Sequence, residues 1–382
     1  AGVHSGTADP EGGTIGRDTA GAPNGVLFET AMELVAGAIP ARTPEEVAAR
    51  VKVAIAHAHR SGLTGVHDFD GALAFRAYQT LQQRGELTLR IVKNIPVSLL
   101  DEAIAVGLQW GFGNDVLRIG GVKTFADGAL GPRTAWMIAP YEGEPDNFGI
   151  AVTDPEEMME NVRRASAAGL PSTIHAIGDR AVHHVLDVYQ TVRADEAARG
   201  LKPAQMRHRI EHVQLIHPDD ARRLGELGVI ASMQPNHAPS DMHMADSYWG
   251  DRADYAYNIR LQLEAGAPVA LGSDAPVEPI EPLPNLYAAV TRRRPDGSPG
   301  PEGWRPGPGG RRHLSIDEAV HGFTTGPAYA AGMEDRLGQL RPGYLADLIV
   351  LDHNLFNEGP AVILNTQVLG TMVSGRWVHR EF

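Results

Sequence analysis

Four residues able to bind a metal ion stand where the sequence turns from a short apolar run into a loop: Lys123, His175, His212 and Asp274. Pro171–Ile174 is one such run, bounded by turn residues, and reads as a buried parallel strand with His175 where it should end. His212 lies near the end of Arg207–Val213, Lys123 near the end of Val116–Phe125, and Asp274 just past Pro268–Gly272. Two neutral imidazoles and a carboxylate form a nitrogen and oxygen donor set suited to zinc or a similar divalent ion. Lysine is the odd member, because an ammonium repels a cation. Two readings of Lys123 stand side by side: an ion pair with Asp127, or an amine that reacts with CO₂ to give an anionic, metal-binding carbamate. Any one of these positions alone is as well explained by a loop residue without a role; the set at four strand ends is not.

The elements that must position this set follow from periodicity. Thr43–Arg60 predicts a helix with Thr43 as N-cap, Pro44 in the first turn and Val47, Val51 and Ile55 as its apolar stripe. A strand ending at His67–Asp68 comes next, and strands then alternate with helices: Leu87–Ile95, Val116–Phe125, the His175 strand, Arg207–Val213, Val229–Met233 and Pro268–Gly272. Asp179 reads as the N-cap of the helix after His175. Seven strands alternating with helices predict an α/β fold with a parallel sheet and right-handed crossovers. In a closed parallel barrel all strand C-termini emerge on one face, so the four groups would converge there. Residues 1–340 are assigned to this barrel, with a surface hairpin near Thr14–Arg17 between turns at Gly12–Gly13 and Asn24–Gly25. Residues 341–382 change character: Tyr344–Asp352 and Val368–His379, bent at Ser374–Gly375, read as antiparallel strands of a small β layer.

Composition narrows the class. A chain of 382 residues with 43% hydrophobic and 21% charged residues is an ordinary globular protein, and 43 Gly with 27 Pro suit many βα turns. A net charge of −13 argues against nucleic acid or an anionic membrane as partner and leaves a small-molecule substrate. Without cysteine, a metal site must use histidine, carboxylate or lysine. That absence, with no apolar run of membrane-spanning length and no signal peptide, is consistent with a cytoplasmic location.

Five motifs together resemble the amidohydrolase superfamily: Lys123-Thr-Phe-Ala-Asp-Gly-Ala, His175-Ala-Ile-Gly-Asp-Arg-Ala, Arg209-Ile-Glu-His212-Val-Gln, Met233-Gln-Pro-Asn-His237 and Gly272-Ser-Asp274-Ala-Pro-Val. The nearest likeness is to its amidohydrolase-3 branch, which holds formamide deformylases and exoenzyme regulatory proteins. The resemblance implies a TIM-type (β/α)8 barrel beside a small β-sandwich, and hydrolysis of amide or N-acyl carbon–nitrogen bonds by metal-activated water. It implies Lys123 as a carboxylated, bridging lysine, His175 and His212 as metal ligands, and Asp274 as both ligand and proton shuttle. His237 takes the place of a substrate-contacting histidine.

One departure matters. The family's first strand carries a His-x-His pair, and no segment here matches it. His57-Ala-His59 has the spacing but lies on the first long helix, where residues two apart point about 200° from each other and cannot share an ion. It reads as surface decoration. The barrel is therefore expected to lack its first strand and part of the sandwich, to bind one or two divalent ions, and to hydrolyse poorly as it stands. Its exposed strand edges would favour a homo-oligomer. A regulatory or binding module on the same scaffold, or an inactive fragment, are the alternatives. Lesser candidates are His67–Asp68 at a strand end facing the pocket, and Asp127 and Arg133 as cleft-lining charges. His183, His184, His208 and His217 have no assigned role.

Overall fold

The computed structural model describes residues 2–40 and 42–382. The chain begins with the hairpin of β1 (Gly13–Arg17) and β2 (Pro23–Glu29), paired antiparallel. Its turn is made by Asp18, whose carboxylate accepts from the backbone N–H groups of Ala20 and Ala22. Asn24–Gly25 lies inside β2, so the predicted second turn sits too late; Asn24 instead accepts from Val26 N within the strand.

The helix Pro44–Arg60 starts as its sequence requires. Thr43 Oγ1 accepts from Glu46 N at 3.2 Å while the Glu46 carboxylate accepts from Thr43 N at 2.7 Å, a reciprocal pair that satisfies two orphan donors. Seven strands follow: β3 (Gly65–Asp68), β4 (Arg90–Pro96), β5 (Leu117–Phe125), β6 (Ser172–Ala176), β7 (Arg209–His212), β8 (Ile230–Met233) and β9 (Val269–Leu271). They form one parallel sheet in sequence order, from β3 at one edge to β9 at the other. Helices such as Pro155–Ala167 and Asp179–Ala198 cover the outer face. There Ile174, Ile210 and Ala231 pack with Val182, Val185 and Leu186 in the largest apolar core. A smaller antiparallel sheet of β10 (Leu348–Leu351), β11 (Val368–Val373) and β12 (Arg376–Arg380) closes the chain, with the bend at Ser374–Gly375 joining the last two strands.

Other details differ from expectation. Gly178 is the N-cap of Asp179–Ala198, and the Asp179 carboxylate accepts from Ile138 N, tying the long loop after β5 to this helix. His59 is buried, not on the surface: its Nδ1 donates to Leu63 O, and its carbonyl accepts from Thr371 Oγ1 of the C-terminal sheet. Two helices, His237–Trp249 and Pro282–Thr291, were not predicted. Among the described residues, no helix is long and apolar enough to cross a membrane.

Candidate active site

Strand alternation and register place the inner-face residues before any side chain is considered. Lys123 pairs with Thr173, Thr173 with Arg209, and two residues further on Phe125 pairs with His175 and His175 with Glu211. Because side chains alternate, Lys123, Phe125, His175, Arg209 and Glu211 share the face opposite Ile174 and Ile210. That face lines a cavity of about 920 Å³ that reaches from the β3 edge, at His67 and Asp68, to the β9 edge, at Ala270 and Leu271. Lys123, His175, His212, His237 and Asp274 all line it.

Two of these residues reach the cavity by leaving regular geometry. His212 has φ 79° and Asp274 has φ 61°, left-handed values that cost free energy for a side-chain-bearing residue. In an unbroken strand Glu211 and His212 would face opposite ways; the turn at His212 lets both line the cavity. His237 Nε2 lies 3.2 Å from Asp274 Oδ2, and His212 Nδ1 lies 3.9 Å from the same oxygen. His212, His237 and Asp274 each offer a donor atom, and the three atoms lie within 4.8 Å of one another. His175 stands beside them, its ring centroid 4.6 Å from that of His212.

Second contacts fix the rings. His175 Nε2 donates to the carbonyl of Gly128 at 2.9 Å, and His212 Nδ1 sits 2.9 Å from Gln234 Oε1. Such contacts set the tautomer and orient the other ring nitrogen, as at histidines that hold metals. Burial, joined by the neighbouring His212 and Lys123, holds His175 well below the usual imidazole range. Burial likewise lowers His212 to about 4 although Asp274 opposes it, so both rings are neutral at pH 7. Burial lowers Lys123 to about 8 against the pull of Glu211, and its Nζ rests 4.4 Å from the Phe125 ring centroid. For Asp274 burial acts upward, but the His237 hydrogen bond together with the nearby charges of His212, His237 and Lys123 outweighs it and keeps the carboxyl below its ordinary value. Neutral imidazoles with an ionised carboxylate are the protonation states a divalent cation needs, so the residues present fit such an ion.

The remaining candidates separate clearly. Lys123 does not pair with Asp127. That carboxylate is fully buried and accepts from the backbone N–H groups of Trp136, Ile177 and Gly178, so it locks the end of β6 and lines no cleft. Arg133 pairs with Glu144 and also lies outside the cavity lining. His67 does face the cavity, where its Nδ1 accepts from Arg209 Nη1 at 3.0 Å. His183 binds Asp220, His208 is buried against Glu196, and His217 caps a short 3-10 turn. Sequence reasoning missed Arg209 and Glu211, joined at 2.7 Å, although their spacing on β7 was the signal that they share the inner face.

A cavity at the C-terminal ends of a parallel sheet, with histidines and an aspartate gathered in it, defines the class, and residues 1–379 match the amidohydrolase family. The chain belongs to that family. It is 34% identical to the protein LONG AFTER FAR-RED 3 of Arabidopsis thaliana, over 99% of this chain and 65% of that protein. It is 30% identical to the putative amidohydrolase YtcJ of Bacillus subtilis (strain 168), over 100% and 70%. Identity to the N-substituted formamide deformylase of Arthrobacter pascens is 27%, over 98% and 68%. Among solved structures, an uncharacterised metal-dependent hydrolase from Pyrococcus horikoshii OT3 superposes with a TM-score of 0.74 at 30% identity, over 87% of this chain and 63% of that one. The chain thus spans about two thirds of the length of the proteins it matches.

Proposed function

We propose that this chain carries the centre of a metal-dependent hydrolase of carbon–nitrogen bonds in non-peptide amides or N-acyl compounds. One observation carries the reading: donor atoms of His212, His237 and Asp274 gather within 4.8 Å on a cavity wall, with His175 adjoining. A divalent ion, zinc first among the candidates, supplies Lewis acidity when bound and brings the pKa of a water toward neutrality. His212, His237 and Asp274 would hold one ion, and Lys123 with His175 would extend the ligand set toward a second. For that, the neutral Lys123 amine would add to CO₂ and release a proton, becoming an anionic carbamate. Asp274, ionised and hydrogen-bonded to His237, is placed to take the attacking water's proton and deliver it to the leaving nitrogen. The name of the formamide deformylase among the relatives supports the choice of bond.

The same reading takes the seven-stranded sheet as most of a (β/α)8 barrel and β10–β12 as a share of a β-sandwich. A further strand bearing a His-x-His pair between β3 and β9 would complete the ligand set. The partner is a small molecule, and the acidic net charge of −13 disfavours nucleic acid and anionic membranes. The test is metal analysis and intact mass of the purified protein, with a zinc- or cobalt-supplemented assay on N-substituted formamides and N-acyl amino acids. Stoichiometric metal is expected, with metal-dependent turnover that stays low without the His-x-His pair. A chain that takes up no divalent ion at micromolar concentration would end the reading.

A further inference from the structure

The N-terminal hairpin ends on an anomaly. Glu29, the last residue of β2, has φ 52° and ψ −128°, a conformation ordinarily left to glycine. Its side chain leaves the hairpin and reaches the long loop after β5, where Glu29 Oε1 accepts from Thr134 Oγ1 at 2.6 Å. That hydroxyl in turn accepts from Ala129 N at 3.0 Å, and Thr134 N donates to Ala129 O at 3.0 Å. Gly128 N donates to Thr134 O at 3.3 Å, which closes the loop from residue 128 to 134 into a tight ring. The Gly128 carbonyl is the group that accepts from His175 Nε2.

The packing at Gly128 is as close as a chain allows. A Cβ placed there would lie 2.4 Å from Glu29 Oε1 and 2.1 Å from Thr134 Oγ1. The carboxylate and the hydroxyl therefore rest directly on the Cα whose carbonyl holds the His175 ring. Asp127, one residue earlier, grips the end of β6 through Ile177 N and Gly178 N, and its Oδ1 lies 3.6 Å from His175 Nε2, beyond the 2.9 Å hydrogen bond to Gly128 O. With Nε2 spent on Gly128, Nδ1 is the ring nitrogen of His175 left to a ligand.

We infer that Glu29 is a positioning residue of the active site: through Thr134 it fixes the Gly128 carbonyl and so sets the tautomer and ring orientation of His175. The inference rests on the reading of His175 as a metal-site residue, and it gives the hairpin a part in that site from outside the sheet. The strained backbone at Glu29 is maintained because the carboxylate must point at the loop instead of along the strand.

Two measurements test it on the whole chain. In metal-free protein labelled with ¹⁵N-histidine, long-range ¹H–¹⁵N spectra report each ring's tautomer. His175 is expected as the Nε2–H form in the wild type and in Glu29→Gln, which keeps the accepting oxygen, and as a mixture in Glu29→Ala. Cobalt titration followed by visible absorption should then show affinity about 10–100-fold weaker for Glu29→Ala, with Glu29→Gln near wild type. Should Glu29→Ala fail to fold, Thr134→Val removes the same hydroxyl from the other side and is expected to reproduce both effects. An unchanged His175 tautomer and unchanged cobalt affinity in the folded variant would overturn the inference. A wild type that binds no cobalt would instead refute the metal reading, while the tautomer comparison would still decide the role of Glu29.

Discussion

Two buried histidines four residues apart, His208 and His212, have opposite surroundings. His208 is wholly buried on the helix side of the sheet with both nitrogens committed: Nδ1 accepts from Ser172 N at 2.9 Å, and Nε2 donates to Glu196 Oε1 at 2.8 Å. Around it Glu196 also accepts from Ser166 and Arg193, and the Arg193 guanidinium caps the carbonyls of Met206, Leu227 and Gly228. His212 has Nδ1 on Gln234 with Asp274 Oδ2 3.9 Å from the same nitrogen, and its ring stands 5.9 Å from that of His237, across a cavity and on a left-handed backbone. The first arrangement satisfies every ring nitrogen and builds stability. The second holds strain and gathers donor atoms of His212, His237 and Asp274 within 4.8 Å of one another on a cavity wall.

Substitutions sharpen this contrast, the largest effect first. On the proposed mechanism, Asp274→Asn removes the proton acceptor and one anionic donor while keeping the shape. Turnover of the metal-supplemented protein should fall by about 10²–10⁴-fold, with the thermal midpoint of the metal-free protein little changed. Near-normal turnover in a kinetic assay would take Asp274 out of the chemistry. His212→Asn should weaken divalent-metal affinity by more than about 10–100-fold, the usual cost of removing only a group that orients a ligand. His208→Asn should leave that affinity within a few-fold of wild type. Isothermal titration of the two variants breaks the comparison if they behave alike.

Glu196→Ala addresses the other region. It strips the partner from His208 and Arg193 in a site that is 1% exposed, and breaking a buried charged pair costs about 3–5 kcal/mol. Denaturant unfolding should show a loss of that order, while metal affinity in the fraction that remains folded stays at the wild-type value. A stable variant would mean that the network around His208 is dispensable.

Much of this was legible in the sequence because it depends on local pattern. Seven apolar runs bounded by turn residues gave the strands and their order, and the strand ends gave His175, His212 and Asp274. Thr43 and Glu46 announced their helix with a capping box. What stayed hidden depends on distant partners. Asp127 looked like a cleft charge because its acceptors' mates, Ile177 N and Gly178 N, lie some fifty residues away. His59 looked exposed because the sheet that buries it is made by residues beyond 345. The helix His237–Trp249 was obscured by Pro239, Ser240 and Asp241 near its start, which read as a loop although proline is tolerated in a first turn. Pro282 and Pro284 hid the start of the other missed helix in the same way. Glu29 gave no signal, since its value lies in a φ that only the folded hairpin imposes.

The smallest effect is a pH dependence that separates the two histidines without touching the site. Burial holds His208 below its ordinary pKa of 6.5, so the folded protein keeps it neutral while the unfolded chain takes up a proton as the pH drops. Its stabilisation is therefore complete above 6.5 and is lost as pH falls from there toward the folded value. The slope is at most about 1.4 kcal/mol per pH unit for one proton. Glu196 acts lower down. Burial works against its ionised form, but hydrogen bonds from His208, Ser166 and Arg193 hold it at about 2 against an ordinary 4.5. Its contribution is present above 4.5 and disappears as the pH falls toward 2. His208→Gln keeps a donor for Glu196 and cannot titrate, so unfolding free energy measured from pH 7 to 5 should fall less steeply in that variant. Both proteins should steepen again below 4.5. Other buried rings, His59, His67, His175 and His212 among them, titrate in the folded protein below 6.5 too, which is why the difference between the two curves is the quantity to read. Parallel curves between pH 7 and 5 would show that His208 accepts a proton in the native state and that its two hydrogen bonds do not hold it neutral.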